Sequence, residues 1–181
     1  SGAVALRWIR DHGSQYPCDM RNIMLTGDSA GGQLAAYSAV LMQSAQLRKT
    51  FDTVDPQMEL TALLLTSPVA FMRDGGLFSL YTKPMWGTDY KDKATYPYMD
   101  FDQIIDYAQA LPPTYLITSS GDTLANKQTH RLYEVLQAHG VQAEIKDYAK
   151  AEYNQSLPHV FSVLQPFEPA GTAALCGSFV A

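Results

Sequence analysis

Cationic clusters, cysteines and long apolar runs are scarce in this 181-residue chain. Cys18 and Cys176 are its two cysteines. They are too few and too isolated for a disulfide framework or a thiolate metal site, so two reduced thiols are expected. Lys and Arg number 13 against 18 Asp and Glu, for a net charge of −5. The basic residues are scattered, which argues against a nucleic-acid surface and against a polybasic membrane patch. The longest apolar run, Leu60 to Phe71, is interrupted by Thr, Ser and Pro and is shorter than the ~20 residues a membrane span needs. There are no repeats or low-complexity tracts, and no metal or cofactor is expected. No secretory leader is visible; the compartment stays open, with a cytoplasmic one favoured.

What is present is 46% hydrophobic and 17% charged, a composition that suits one globular domain over residues 1–181. The spacing of Val4, Leu6, Trp8 and Ile9 predicts a helix over Ala3–Arg10 with most of these side chains on one face, and Gly13 as its C-cap. Strands are expected at Asn22–Thr26, Leu60–Thr66, Thr114–Thr118 and Val141–Tyr148, the last of them half exposed like an edge. Helices are expected at Gln33–Met42, at Phe101–Ala110 before Pro112 and Pro113, and at Ala125–His139 before Gly140, with Leu132, Val135 and Leu136 inward; a helical tail follows Leu157-Pro158-His159. Strand alternating with helix predicts an α/β fold with a mostly parallel sheet and right-handed crossovers. Residues 71–111, rich in aromatics such as Phe71, Phe78, Tyr81, Trp86, Tyr90, Tyr96 and Tyr98, form an expected lid or pocket insertion.

Gly27-Asp28-Ser29-Ala30-Gly31-Gly32 lies between the first strand and its helix. A G-x-S-x-G at such a junction is the signature of a nucleophile elbow, a strained turn that exposes the serine hydroxyl. The flanking glycines are expected to avoid collisions where strand meets helix, and the Ala30 N–H is placed to serve as an oxyanion donor. Serine needs a base, and the base needs a carboxylate behind it. Ser29 and Asp122 follow strands, and His159 lies in the loop after the last strand, which puts all three at the carboxyl rim of a parallel sheet. Each also has a plainer reading: Ser29 as a helix N-cap, Asp122 as a turn aspartate, His159 as a surface loop residue. Among rivals, His12 and His139 sit at helix ends, where the helix dipole favours them. His130 lies on a helix face accounted for by packing, Asp147 is within a strand, and Cys18 has no base beside it.

The elbow, Ser120-Gly121-Asp122-Thr123-Leu124 and Pro158-His159-Val160-Phe161 together resemble the hormone-sensitive-lipase-type esterases of the α/β-hydrolase superfamily, the acetyl-esterase and carboxylesterase branch in particular. Leu111-Pro112-Pro113-Thr114 and Arg7-Trp8-Ile9-Arg10 extend the similarity over nearly the whole chain. The resemblance implies a serine esterase for small carboxylic esters, with Ser29, His159 and Asp122 as its triad. It also implies a His-Gly-Gly oxyanion motif upstream, which the 28 residues before Ser29 do not contain. The chain is therefore expected to represent the C-terminal half or more of such a fold and to be poorly active alone. Its elbow strand should be a sheet edge, covered by the absent part or by another copy of the chain. Competing expectations are a serine peptidase of the prolyl-oligopeptidase type and a hydrolase-fold binding protein that has lost catalysis.

Overall fold

The computed structural model describes residues 2–73, 83–84 and 87–178. Four strands, β1 (Met24–Asp28), β2 (Ala62–Thr66), β3 (Thr114–Ser119) and β4 (Ala143–Tyr148), form one parallel sheet in the order β1-β2-β3-β4. All four predicted strands are therefore present, and β1 and β4 are its edges among the described residues. The central strands are the apolar ones: Leu63, Leu65, Leu116 and Ile117 are buried on β2 and β3. On β4 half-buried residues alternate with exposed ones, as an edge strand requires.

Helices among the described residues include α1 (Gly2–His12), α2 (Ala30–Gln43), α3 (Ala45–Thr50), α4 (Asn126–Ala138), α5 (Lys150–Tyr153), α6 (Phe161–Leu164) and α7 (Pro169–Ser178). Small residues let α2 lie close to the sheet, with Gly32, Ala35, Ala36, Ala39 and Val40 buried. Its packing joins Leu47, Phe71, Phe101, Leu132 and Leu136 in the main core. Gly140, at φ 73, ends α4 in the left-handed conformation expected of a C-cap. The unanticipated α3 follows from Ser44, whose side chain accepts from Leu47 N–H and caps it.

Several expectations are corrected. Of the four expected residues α1 buries Leu6, together with Ala3, while Val4, Trp8 and Ile9 face outward and the Trp8 ring stacks on His12 at 4.6 Å. Gly13 is no left-handed cap but begins a 3₁₀ turn, Gly13–Gln15. The segment 101–110 is two 3₁₀ turns, Phe101–Gln103 and Ile105–Tyr107, rather than a helix. The Gln43 side chain claims the backbone that a helix would use: Gln109 and Ala110 N–H donate to its Oε1, and its Nε2 donates to Ala110 O at 2.6 Å.

The start of the segment expected as an insertion, 71–111, is tied to residues 100–101. Phe71 and Asp100 form an antiparallel bridge, Phe101 N–H donates to Ala70 O, and Arg73 pairs with the buried Asp100 carboxylate at 3.0 Å. Gln128 of α4 holds the loop beyond β2, accepting from Ala70 and Phe71 N–H and donating to Phe71 O. Of the aromatics in this segment, Phe78, Tyr81 and Trp86 lie outside the described residues.

Candidate active site

The elbow turns between β1 and α2, with Ser29 at φ 51, ψ −118 and its side chain capping nothing. A non-glycine residue in that region is strained, and the surroundings hold it there. Ser29 N–H donates to Thr66 O, while Ser29 O accepts from Val69 and Gln33 N–H. Ser29 thus holds the N-cap position of α2, but its hydroxyl makes no capping bond. A Cβ on Gly27 would collide with the Gly31 carbonyl, and one on Gly32 would come within 2.9 Å of Pro68, so both glycines serve close approach. Gly31 departs from expectation: its nearest neighbour to such a Cβ is Asp28 Oδ1 at 3.9 Å, so no collision demands glycine there. Ala30 is the first residue of α2, where helical geometry offers its N–H no acceptor within the helix. Asp28 closes β1 in register with Thr66.

The three distant residues meet. His159 Nε2 lies 2.8 Å from Ser29 Oγ, and His159 Nδ1 lies 2.9 Å from Asp122 Oδ2. The Asp122 side chain is fully buried while that of His159 is 23% exposed. Asp122 Oδ1 accepts from Leu124 and Ala125 N–H. The two readings of Asp122 therefore divide between its two oxygens, one shaping the turn and one facing the imidazole. Burial by itself would raise the Asp122 pKa. The hydrogen bonds from His159 and the Ala125 N–H outweigh it and hold the carboxyl below its ordinary value. The Ser67 hydroxyl sits beside the carboxylate and acts in the same direction, without making a well-formed hydrogen bond.

Two neighbours of this set, Ser67 and Ser119, carry no motif that marks them. Ser67 is buried at φ 45. Ser119 Oγ donates to Leu157 O at 2.6 Å, and a Cβ on Gly121 would come 2.5 Å from that same oxygen. A hydroxyl such as that of Ser119, which bonds backbone far along the chain, leaves no sequence period behind it.

The remaining histidines stay apart from this set. His12 and His139 bond the carbonyls of Trp8 and Val135 at the ends of α1 and α4. His130 is not explained by packing: it is partly exposed and pairs with Asp147 Oδ2 at 2.8 Å. Cys18 and Cys176 are exposed free thiols. Among the described residues, no cluster of three or more His, Cys, Asp or Glu is arranged to hold a metal, and no helix is long and apolar enough to cross a membrane.

Two apolar features lie nearby. Val69, Met72, Met99 and Ala125 cluster with Tyr90 and Tyr96 against the loops that follow β2 and β3. A cavity of about 420 Å³ runs along α2 from Gln33 to Met42, bounded by Leu6, Phe51, Tyr96 and Met99. It begins one turn beyond the elbow, and neither Ser29 nor His159 lines it.

A parallel sheet with a strained serine elbow and an imidazole–carboxylate pair at its carboxyl rim defines an α/β-hydrolase architecture. The chain belongs to the family described by the alpha/beta hydrolase fold, which it matches over residues 1–157. It is similar to a probable carboxylic ester hydrolase, LipM, of Mycobacterium tuberculosis, at 25% identity over 98% of this chain and 41% of that protein. Esterase B from Lactobacillus rhamnosis superposes with a TM-score of 0.86 at 28% identity, covering 98% of this chain and 57% of that one. The same esterase inhibited by a tributyrin phosphonate gives 0.87 at 28% identity, covering 98% and 56%. The chain thus spans about half the length of these relatives.

Proposed function

We propose that the protein is a serine esterase acting on small carboxylic esters, in which Ser29 attacks the ester carbonyl and forms an acyl-enzyme. His159 takes the serine proton as general base and returns it to the leaving alcohol as general acid. Asp122 keeps the imidazole in the tautomer with Nδ1–H toward the carboxylate and stabilises the imidazolium. The Ala30 N–H donates to the developing oxyanion. The observation that carries this reading is the pair of contacts, 2.8 Å from Ser29 Oγ to His159 Nε2 and 2.9 Å from His159 Nδ1 to Asp122 Oδ2.

Similarity to carboxylic ester hydrolases supports the ester over the amide, and the tributyrin phosphonate on a relative supports a short acyl group. Within the 71–111 segment, Tyr90, Tyr96 and Met99 contribute the apolar wall. They pack against Val69, whose N–H holds Ser29 O at 3.1 Å. An apolar wall beside the nucleophile suits an acyl or alkyl group.

The test is assay of the intact protein and of Ser29→Ala and His159→Ala with p-nitrophenyl acetate and with a peptide amide. Ester turnover is expected in the intact protein and should be lost in both variants, with thermal stability little changed for Ser29→Ala. Amide cleavage without ester cleavage, or ester cleavage that survives Ser29→Ala, refutes the reading.

A further inference from the structure

We propose that Ser119 is a positioning residue for His159, acting through the backbone carbonyl of Leu157. The inference rests on the esterase reading of Ser29, His159 and Asp122. His159 stands on no regular element. It lies in the turn Pro158–Phe161, closed by Phe161 N–H donating to Pro158 O at 3.0 Å. The residue that follows it, Val160, adopts φ 52, ψ 35. A β-branched residue is strained in that conformation, which a turn of this kind ordinarily gives to glycine. Such strain persists only where the surroundings over-determine it.

Downstream, the turn is fixed by Phe161, fully buried at the start of α6. Upstream, it is fixed at Leu157, whose side chain is buried in the cluster with Ile117, Tyr148 and Phe161. The Leu157 carbonyl takes the Ser119 hydroxyl at 2.6 Å and stands so close to Gly121 that a Cβ there would be 2.5 Å away. Ser119 is fully buried at the end of β3, and its own carbonyl accepts from Asp122 N–H at 3.0 Å and from Asn126 Nδ2 at 2.9 Å. One residue therefore ties the turn that carries His159 to the strand end that carries Asp122. Removing the hydroxyl leaves a buried carbonyl without its donor and a strained turn free to relax, which swings the imidazole off the line between Asp122 and Ser29.

The experiment measures labelling of Ser29 by a fluorophosphonate probe in the intact protein, in Ser119→Ala and in Gly121→Ala, each checked for folding by circular dichroism. Gly121→Ala pushes the same carbonyl from its other side, so it stands in if Ser119→Ala does not fold. The maximal labelling rate is expected to fall about 10- to 100-fold, as a misplacement on the order of 1 Å does. The half-saturating probe concentration should stay unchanged, a split that a merely structural role does not produce. Folded Ser119→Ala and Gly121→Ala that label at the parent rate overturn the inference alone, provided that His159→Ala abolishes labelling. Labelling that survives His159→Ala overturns the esterase reading, and the positioning role falls with it.

Discussion

Replacing Gly27 by alanine tests the elbow where it is tightest. The added Cβ would overlap the Gly31 carbonyl and reach 2.7 Å from Gly32 N. These are backbone atoms of the first turn of α2, so no flexible side chain can yield, and the strand and helix must separate. Overpacking of this kind costs about 3 kcal/mol, the upper end of its usual range. In a domain of this size that is a fall in Tm of roughly 6–12 °C. Gly31→Ala is the control within the same motif. Its Cβ meets nothing nearer than 3.9 Å, and the backbone is helical. The substitution removes backbone freedom from the unfolded chain and should stabilise by about 0.5–1 kcal/mol, raising Tm by roughly 1–4 °C. Thermal unfolding followed by circular dichroism reads both variants. A Gly27→Ala protein that melts within about 2 °C of the parent would refute the steric argument, since the predicted minimum shift is three times that. A large loss in Gly31→Ala would refute it from the other side.

Asp122→Asn keeps an oxygen for the Leu124 and Ala125 N–H groups but turns an amide donor toward His159 Nδ1. The fold should persist, while ester turnover falls by roughly 10³- to 10⁴-fold because the imidazole is held in the wrong tautomer. Unaltered turnover would remove Asp122 from the mechanism. The same carboxyl has a depressed folded-state pKa. As the pH falls through about 4 the unfolded state takes up the proton first, so stability that is complete above that value is lost below it. Urea unfolding between pH 6 and 3 should therefore show a shallower acid decline in Asp122→Asn than in the parent. At the alkaline end, burial and the neighbouring Tyr115, Tyr153 and Glu152 push Tyr148 up to about 12. The unfolded chain ionises this tyrosine near pH 10, so its contribution is intact below that value and lost as the pH rises toward 12. Tyr148→Phe should lose less stability than the parent between pH 9 and 11, and equal losses would contradict the assignment.

The fold and the candidate site were legible to different depths, for physical reasons that differ residue by residue. The strands were readable because a parallel sheet buries its centre on both faces, and Leu63, Leu65, Leu116 and Ile117 announce that burial as apolar runs. The elbow was readable because close approach at Gly27 and Gly32 restricts those positions to the smallest residue. Gly31 carries the same letter without the same constraint, so the pattern alone overstated its need. Helix periodicity failed at 101–110. Phe101, Ile104 and Ile105 are buried as a helix would bury them, yet a glutamine 66 positions away in Gln109's case takes the backbone groups first. Val4, Trp8 and Ile9 misled in another way: apolar spacing marks a face but not whether a neighbour covers it, and of the four expected residues α1 turns only Leu6 to the protein, beside Ala3.

The clamp from Ser119 to Leu157 lay beyond reach of the sequence for the same reason that makes it effective. Its acceptor is a main-chain carbonyl 38 residues away, so nothing about the identity of residue 157 advertises the bond. The single local sign was Val160, a β-branched residue forced to φ 52 beside the candidate base. That strain becomes readable only when the backbone is seen, and it identifies the loop as one whose shape is imposed by its contacts rather than chosen by its own residues.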